Sequence, residues 1–387
     1  MKVILTSLLL ISSLSALDQF TSSQVCKKCH PIIYNEYYQS QHKKASIFSD
    51  PIHKAVWDKH PLKKKGIYTC AKCHTPNDKE LITKLNKGET PALPKDTKAQ
   101  REGVSCVSCH NIKSIQKHAK SNTNIITKDK HTLYSARKSE KNSNDKKYKM
   151  QKSLFGFVTQ KSGSPYHDID FTNELYYNGD VCMGCHSHKE NAHKLQVCTS
   201  KITQHPNSEK ENCITCHMPK VPGSFTTLQN SKTHRYHGFS GTIHKPKILT
   251  EYLSLKLEKE SSGFNIVIHN SANHPLLLHP LRLGILKITI KRGTNTTALT
   301  PVKFVRIIGK NGHPAPPWIA TQVLQDTQLQ AKESRVIHFD TTLQSNDEVV
   351  AQFGYYIVNP KMAKKLGIED KKSTAFTIFK KELFYVK

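Results

Sequence analysis

The sequence has no long hydrophobic run and little acidic charge. Only 36% of its 387 residues are hydrophobic, and no stretch approaches the roughly 20 apolar residues that a membrane-spanning helix needs. Asp and Glu number 30 against 58 Lys and Arg, which gives a formal net charge of +28. Aromatic and charged fractions of 8% and 23% are ordinary, so a wholly disordered chain is excluded too. We expect a folded protein that does not span a membrane.

The first 16 residues have the composition of a secretory signal. Met1 and Lys2 form a short basic start, residues 3–11 are largely apolar, and residues 12–16 are mostly small. The apolar run is too short for a membrane anchor. The pattern therefore predicts export, cleavage near Ser15 or Ala16, and a periplasmic location.

Cysteine is nearly absent outside one repeated pattern, Cys-x-x-Cys-His, which holds ten of the 11 cysteines in five copies. Neither a disulfide framework nor a zinc site needs a His directly after each pair. Two thiols three positions apart reach the two vinyl groups of one haem, and the following His binds its iron as proximal ligand. We therefore expect five covalently bound haem c groups. The first to fifth motifs are Cys26, Cys29 and His30; Cys70, Cys73 and His74; Cys106, Cys109 and His110; Cys182, Cys185 and His186; and Cys213, Cys216 and His217.

The spacing of the motifs predicts the fold class. They leave only about 38 residues per haem between residues 26 and 217, so the haems must themselves form much of the core, among short helices such as residues 34–48 and 50–57. After Pro246 the apolar residues alternate with period two, and strands are predicted at 253–258, 264–269, 284–291, 302–308, 335–340, 348–358 and 374–379. The expected class is α+β: a pentahaem, mainly short-helical domain at 17–245, followed by an antiparallel, Ig-like β-sandwich domain at 246–387.

Three local patterns extend beyond the motifs themselves. Residues 37–45 (YYQSQHKKA) are similar to a Trp-x-x-Ser/Thr-x-His-x-x-Ala segment, residues 102–110 (EGVSCVSCH) to a third haem attachment site, and residues 213–219 (CITCHMP) to the last site of many multihaem proteins. Over residues 24–245 the chain thus resembles the cytochrome c554 (cytochrome c552/4-type) multihaem family.

The resemblance implies distal iron ligands for the other face of each haem. By position in the family patterns they are His42, His118, His167 and His237. The fifth is either His244 or His274, the latter in a loop that resembles a His-containing stretch of β-domains fused to multihaem cytochromes. For each of these residues a solvated or hydrogen-bonded His is the alternative interpretation.

Three features outside the motifs have simple interpretations. Cys198 has no disulfide partner left in the chain, which predicts an inert buried thiol or, alternatively, a thiol beside the fourth haem. Residues 127–152 are rich in Lys and small polar residues and predict a solvated insert. The positive charge favours acidic redox partners or anionic substrates, or reflects surface solvation alone; no nucleic-acid motif is present.

These observations favour an electron carrier of a respiratory chain, with redox proteins such as a membrane quinol dehydrogenase or a terminal reductase as partners. The alternative is a multihaem oxidoreductase that acts on nitrite, hydroxylamine, tetrathionate or sulfite at one haem with an open distal face. No Cys-x-x-Cys-Lys motif, the usual mark of ammonia-forming nitrite reductases, occurs. A third hypothesis, a protein that docks on a membrane quinol oxidase through the β-domain, is compatible with the first.

Overall fold

Short helices prevail in the first part of the computed structural model, and long strands prevail after residue 252. The structure describes residues 17–137, 141, 149–152, 159–162, 164, 166–200 and 211–387. The proposed signal segment and much of the Lys-rich insert therefore lie outside the described residues. In the described part of the chain, no helix is long and apolar enough to span a bilayer.

Twelve α-helices are present in the described residues, most of them one or two turns long. They are α1 (Pro31–Gln39), α2 (Pro51–Lys59), α3 (Pro61–Lys64), α4 (Ala71–His74), α5 (Lys79–Lys87), α6 (Lys98–Glu102), α7 (Cys106–His110), α8 (Leu175–Asn178), α9 (Met183–His186), α10 (Cys213–His217), α11 (Pro360–Leu366) and α12 (Lys371–Thr374). Further 3-10 helices cover Ser23–Lys28, Asp180–Cys182 and Pro246–Tyr252.

Local signals fix where several helices begin and end. Proline occupies the first turn of α1, α2 and α3, where its missing N–H is not needed. The Asp50 carboxylate caps α2 by accepting from the N–H groups of Ile52 and His53. Gly88, in the left-handed conformation, ends α5.

The described residues of the motif-bearing part also include ten short strands that form two-stranded ribbons. They are β1 (Ile112–Gln116), β2 (Thr123–Ile126), β3 (Thr132–Tyr134), β4 (Lys149–Lys152), β5 (Thr159–Ser162), β6 (Asp168–Asp170), β7 (His188–Glu190), β8 (Gln196–Thr199), β9 (Lys220–Pro222) and β10 (Thr233–Arg235). β3 pairs with β6 in parallel, and the other pairs are antiparallel.

The carboxy-terminal part consists of antiparallel sheets, as predicted. β11 (Leu253–Glu260), β12 (Gly263–Asn270) and β19 (Ser334–Phe339) form one sheet. The larger sheet contains β13 (Leu283–Arg292), β14 (Asn295–Ala298), β15 (Val302–Phe304), β20 (Glu348–Tyr356) and β21 (Phe376–Tyr385). A small third sheet contains β16 (Arg306–Lys310), β17 (His313–Pro314) and β18 (Gln322–Asp326).

The two larger sheets share a core, which makes them a sandwich. Phe264, Ile266 and Ile268 of β12 are fully buried in the same hydrophobic cluster as Leu286 of β13 and Phe353 of β20. Alternate residues of β12 thus face the opposite sheet, as the period-two pattern requires. The expected α+β class, with short helices before a mainly β region, is confirmed.

The β-sandwich also packs on the motif-bearing part. A second cluster joins Leu281, Tyr355 and Ile357 of the sandwich to Ile52 and Val56 of α2. This contact places the loop between β12 and β13, residues 271–282, against the region of the second motif.

Candidate functional site

Each Cys-x-x-Cys-His motif lies on a single turn of helix. The third and fifth motifs coincide with α7 and α10, the second and fourth begin one residue before α4 and α9, and the first begins at Cys26 within the 3-10 helix Ser23–Lys28. Positions i, i+3 and i+4 share one face of a helix, so both thiols and the His are presented together. Ser105 and Asn212 cap the turns of the third and fifth motifs by accepting from backbone N–H groups.

All five motifs open into one continuous cavity of about 2700 Å³. Its wall includes every Cys and His of the motifs, together with His42, His53, His167, His237 and His274. A packed protein interior has few voids larger than a water molecule. Converging thiols and imidazoles around such a space therefore match the requirements of several covalently attached haems lying close together.

Four motif histidines have a second His ring at the spacing that an iron between them requires. With metal–nitrogen bonds of about 2.0–2.1 Å and about 1.1 Å from each nitrogen to its ring centre, two rings on opposite sides of a metal are about 6.3 Å apart. The observed centroid distances are 6.4 Å for His30 and His167, 6.3 Å for His110 and His237, 5.9 Å for His186 and His42, and 6.1 Å for His217 and His274.

Backbone carbonyls orient these rings so that Nε2 is left for a metal. Nδ1–H donates to a carbonyl oxygen in six of the eight rings, which fixes the tautomer and ring direction as in other metal-binding histidines. The acceptors are Phe225 for His30 (2.6 Å), Asp168 for His167 (3.2 Å), Tyr134 for His110 (2.7 Å), Arg235 for His237 (2.6 Å), Ser240 for His217 (2.6 Å) and Pro275 for His274 (2.9 Å).

Burial favours the neutral form of several of the paired rings. Desolvation, followed by neighbouring imidazoles, lowers the pKa of His42 to about 3 and that of His237 to about 3. Burial also lowers the pKa of His167, His186 and His274. A neutral imidazole offers the lone pair that a metal needs, so the residues present fit a bound haem iron.

The second motif differs from the other four. The ring of His53 lies 4.1 Å from that of His74, too close for a metal between them. His53 Nδ1–H and His74 Nδ1–H both donate to the Ala45 carbonyl, at 2.9 and 3.0 Å. His53 Nε2 then accepts from the Tyr68 hydroxyl at 3.4 Å. Both nitrogens of His53 are occupied, and no described residue places a His ring opposite His74 at the spacing of the other pairs.

Contacts between cysteines give the order of the motifs in space. The Cys26 and Cys106 thiols lie close enough to shift each other's pKa, which places the first and third motifs side by side. Cys109 of the third motif lies in electrostatic range of Cys182 of the fourth. The fourth motif therefore lies at a branch point, because its thiols also contact both remaining motifs.

The two contacts at this branch point are equally direct. The Cys185 and Cys73 thiols, of the fourth and second motifs, lie close enough to shift each other's pKa, and so do the thiols of Cys182 and Cys213, of the fourth and fifth motifs. The spatial order is first, third, fourth, with the second and fifth motifs both next to the fourth.

Three residues singled out from the sequence lie apart from the ring pairs. His118 is exposed, and its carbonyl accepts from His188 Nε2 at 2.9 Å. His244 stacks on Tyr236, whose hydroxyl is hydrogen-bonded to His244 Nε2. Cys198 lies on β8 and lines the cavity, within electrostatic range of Cys73 of the second motif. The structure thus brings His42, His167, His237 and His274 to motif histidines and does not bring His118 or His244.

Sequence reasoning missed the contact between His53 and His74 and the presence of His279 and Arg282 in the cavity wall. Neither has a local pattern in the sequence, because each depends on contacts between distant segments. In the sequence, the spacing of residues 50–57 predicted the helix that carries His53. Nothing in the sequence indicated that this His contacts the second motif.

Residues 25–111 match the family described as cytochrome c554 and c-prime. Among solved structures, a penta-haem cytochrome c552 from Thermochromatium tepidum is 21% identical, with a TM-score of 0.70 over 95% of this chain and 99% of that one. This likeness shows that the two chains share a fold. The comparison with curated proteins gives no match.

Two superoxide reductases also align with parts of the chain. One in the oxidised state is 8% identical over 35% of this chain and 86% of its own, with a TM-score of 0.20. The other, from Nanoarchaeum equitans, is 11% identical over 30% of this chain and 89% of its own, with a TM-score of 0.16. These scores carry no argument about fold or function.

Proposed function

We propose that this chain is a multihaem c-type cytochrome of the cytochrome c554 type, and that it is an exported, periplasmic pentahaem protein that passes electrons in a respiratory chain. Covalent haem c and a redox function follow from that type. The export and the number of five rest on residues 1–16 and on the five motifs.

The distal ligands of four haems follow from the ring pairs. We assign His167 to the first, His237 to the third, His42 to the fourth and His274 to the fifth haem. The spacing of 5.9–6.4 Å supports each assignment. Two imidazoles fill both axial positions of an iron, so these four sites serve electron transfer and exclude small molecules.

The order of the motifs supports a branched electron path. Bound haem supplies one-electron redox chemistry. The thiol contacts hold the first, third and fourth sites in succession, and the fourth site adjoins both the second and the fifth. Electrons that enter at the first or fifth site can therefore reach the second through the fourth.

A second candidate function concerns the second haem. His74 is its proximal ligand, and His53, with both nitrogens hydrogen-bonded, does not occupy the opposite axial position. An iron with an open axial position can bind and reduce or oxidise a small molecule. This observation favours a multihaem oxidoreductase over a pure carrier, with the other four haems feeding the second.

The partners we propose are redox proteins with acidic docking faces. A formal charge of +28, only partly offset by haem propionates, steers such partners to the surface. A membrane quinol dehydrogenase and a terminal reductase are the two classes of partner that fit a periplasmic electron path.

Carbon monoxide binding tests the assignment, because it reports open ferrous haems directly. The dithionite-reduced protein should bind one carbon monoxide per five haems, and intact mass should show a polypeptide from near residue 16 with five haem increments. A protein that ignores carbon monoxide would be a pure carrier, and four increments would mean that one motif is not used.

A further inference from the structure

Two polar side chains from the β-sandwich enter the cavity beside the second motif. His279 and Arg282 belong to residues 271–282, directly before β13, and both line the cavity. The Arg282 N–H donates to the His279 carbonyl at 2.9 Å, so one turn holds the two residues together. His279 lies within electrostatic range of His74, the proximal His of the second motif.

The turn also determines which ring nitrogen of His279 carries the proton. The Leu281 N–H donates to His279 Nδ1 at 3.2 Å. A ring nitrogen that accepts this bond cannot itself carry a proton. Nδ1 therefore accepts, and Nε2 carries the proton. In this tautomer His279 is a hydrogen-bond donor and does not offer a lone pair to the iron.

Both donors lack an acceptor from the protein. Within the described residues, the guanidinium of Arg282 makes no hydrogen bond or ion pair, and His279 Nε2 has no partner. Tyr355, whose hydroxyl donates to the Thr242 carbonyl at 2.6 Å, is the titratable group that acts on Arg282. A half-buried cation that lines an interior cavity without a counter-charge is unfavourable, and the charge remains because Arg does not deprotonate in proteins. An anion that accepts hydrogen bonds from both side chains would remove this cost.

We propose that His279 and Arg282 form a binding site for a small oxyanion at the second haem. A guanidinium fork and an imidazole N–H together give up to three charge-assisted or directed hydrogen bonds, a donor set that matches the oxygens of nitrite or sulfite. The proposal rests on the open second haem. It narrows the substrate class to oxyanions and disfavours hydroxylamine, which brings no negative charge to the site.

A carboxylate could reach the same donors from within the protein, as a propionate of the second haem. A propionate and an external oxyanion would accept the same hydrogen bonds from Arg282 and His279. The two differ in which property of the protein Arg282 controls. If a propionate is the partner, Arg282 sets the midpoint potential of that haem and has no effect on anion affinity. If an external oxyanion is the partner, Arg282 sets the anion affinity.

The experiment uses the haem-loaded, full-length protein and sodium nitrite and sulfite as probes. Anion dissociation constants are measured on the oxidised protein by optical and electron paramagnetic resonance titration. Arg282→Gln and His279→Gln are the test variants; Lys291→Gln, exposed near the far end of β13, and His269→Gln, on β12 and outside the cavity wall, are the matched controls. Carbon monoxide affinity of the reduced protein and the haem midpoint potentials are measured in parallel.

We expect Arg282→Gln to weaken nitrite binding about tenfold or more, which is the loss of one charge-assisted contact, and His279→Gln to weaken it several-fold. The controls should bind as the wild type does, and carbon monoxide affinity should be unchanged throughout. Anion affinities within twofold of wild type in both test variants overturn the proposal, as does a change confined to the midpoint potential. If the wild type binds carbon monoxide and no oxyanion, the oxyanion site alone fails. If it binds no carbon monoxide, the open second haem fails and the proposal falls with it.

Discussion

Replacing His274 by Ala tests whether the β-sandwich completes a haem site in the other half of the molecule. His274 follows β12, its ring is 6.1 Å from that of His217 with planes inclined by 21°, and its Nδ1–H donates to the Pro275 carbonyl. Its Nε2 thus faces the iron bound by His217. Removing the ring leaves that iron with one axial ligand, so the haem becomes high-spin.

The magnitude follows from counting ligands. The proposed assignment leaves one of five haems without a distal His, so about one fifth of the haem should be high-spin in the wild type; in His274→Ala this fraction should rise to about two fifths. Integration of the high-spin signal in the oxidised protein measures the fraction, and carbon monoxide bound by the reduced protein should rise from one to two per chain. His244→Ala and the β12 variant His269→Ala, which lies outside the cavity wall, should leave both values unchanged. An unchanged spin state in His274→Ala would refute the assignment.

The remaining predictions concern single features. His53→Ala should leave the number of high-spin haems unchanged, because both nitrogens of His53 are already hydrogen-bonded; an additional high-spin haem in electron paramagnetic resonance would contradict this. Residues 246–387 alone should unfold cooperatively in urea as a haem-free β protein, and Leu286→Ala should lower the free energy of unfolding by about 2–5 kcal/mol; an unfolded fragment would mean that the boundary is wrong. Arg292 lowers the pKa of Asp347 to about 2 from 3.8, so this carboxylate stabilises the fold above about pH 4 and the contribution is lost as the pH falls through 2. In Asp347→Asn, urea titrations of the fragment should show a weaker pH dependence in that range, and a profile as steep as wild type would exclude the ion pair as its cause.

Local features of the fold were accessible from the sequence. Period-two alternation predicted 284–291 within two residues of β13, because one face of that strand packs in the core. The predicted strand at 302–308 is divided at Val305, whose N–H donates to the Thr327 hydroxyl instead of a neighbouring strand. The predicted helix at 34–48 ends early, at Gln39, because Ser40 adopts an extended conformation.

The haem sites, too, were predictable from the sequence only in part. The attachment motifs follow from spacing alone, since one helical turn presents two thiols and a His together. The distal residues depend on which distant segments meet: His42, next to the first motif in sequence, lies beside His186 of the fourth motif. Family patterns indicated His42, but no periodicity or spacing predicts that pairing. The position of His279 and Arg282 likewise depends on how the sandwich packs on α2.

The measurement that tests the central claim most directly is the electron paramagnetic resonance spectrum of the oxidised, haem-loaded protein. Four His–His pairs and a second site without a distal His predict low-spin signals from four haems and a high-spin signal that integrates to one. Five low-spin haems would show that a further ligand closes the second site. Two or more high-spin haems would show that at least one of the four pairs does not bind its iron.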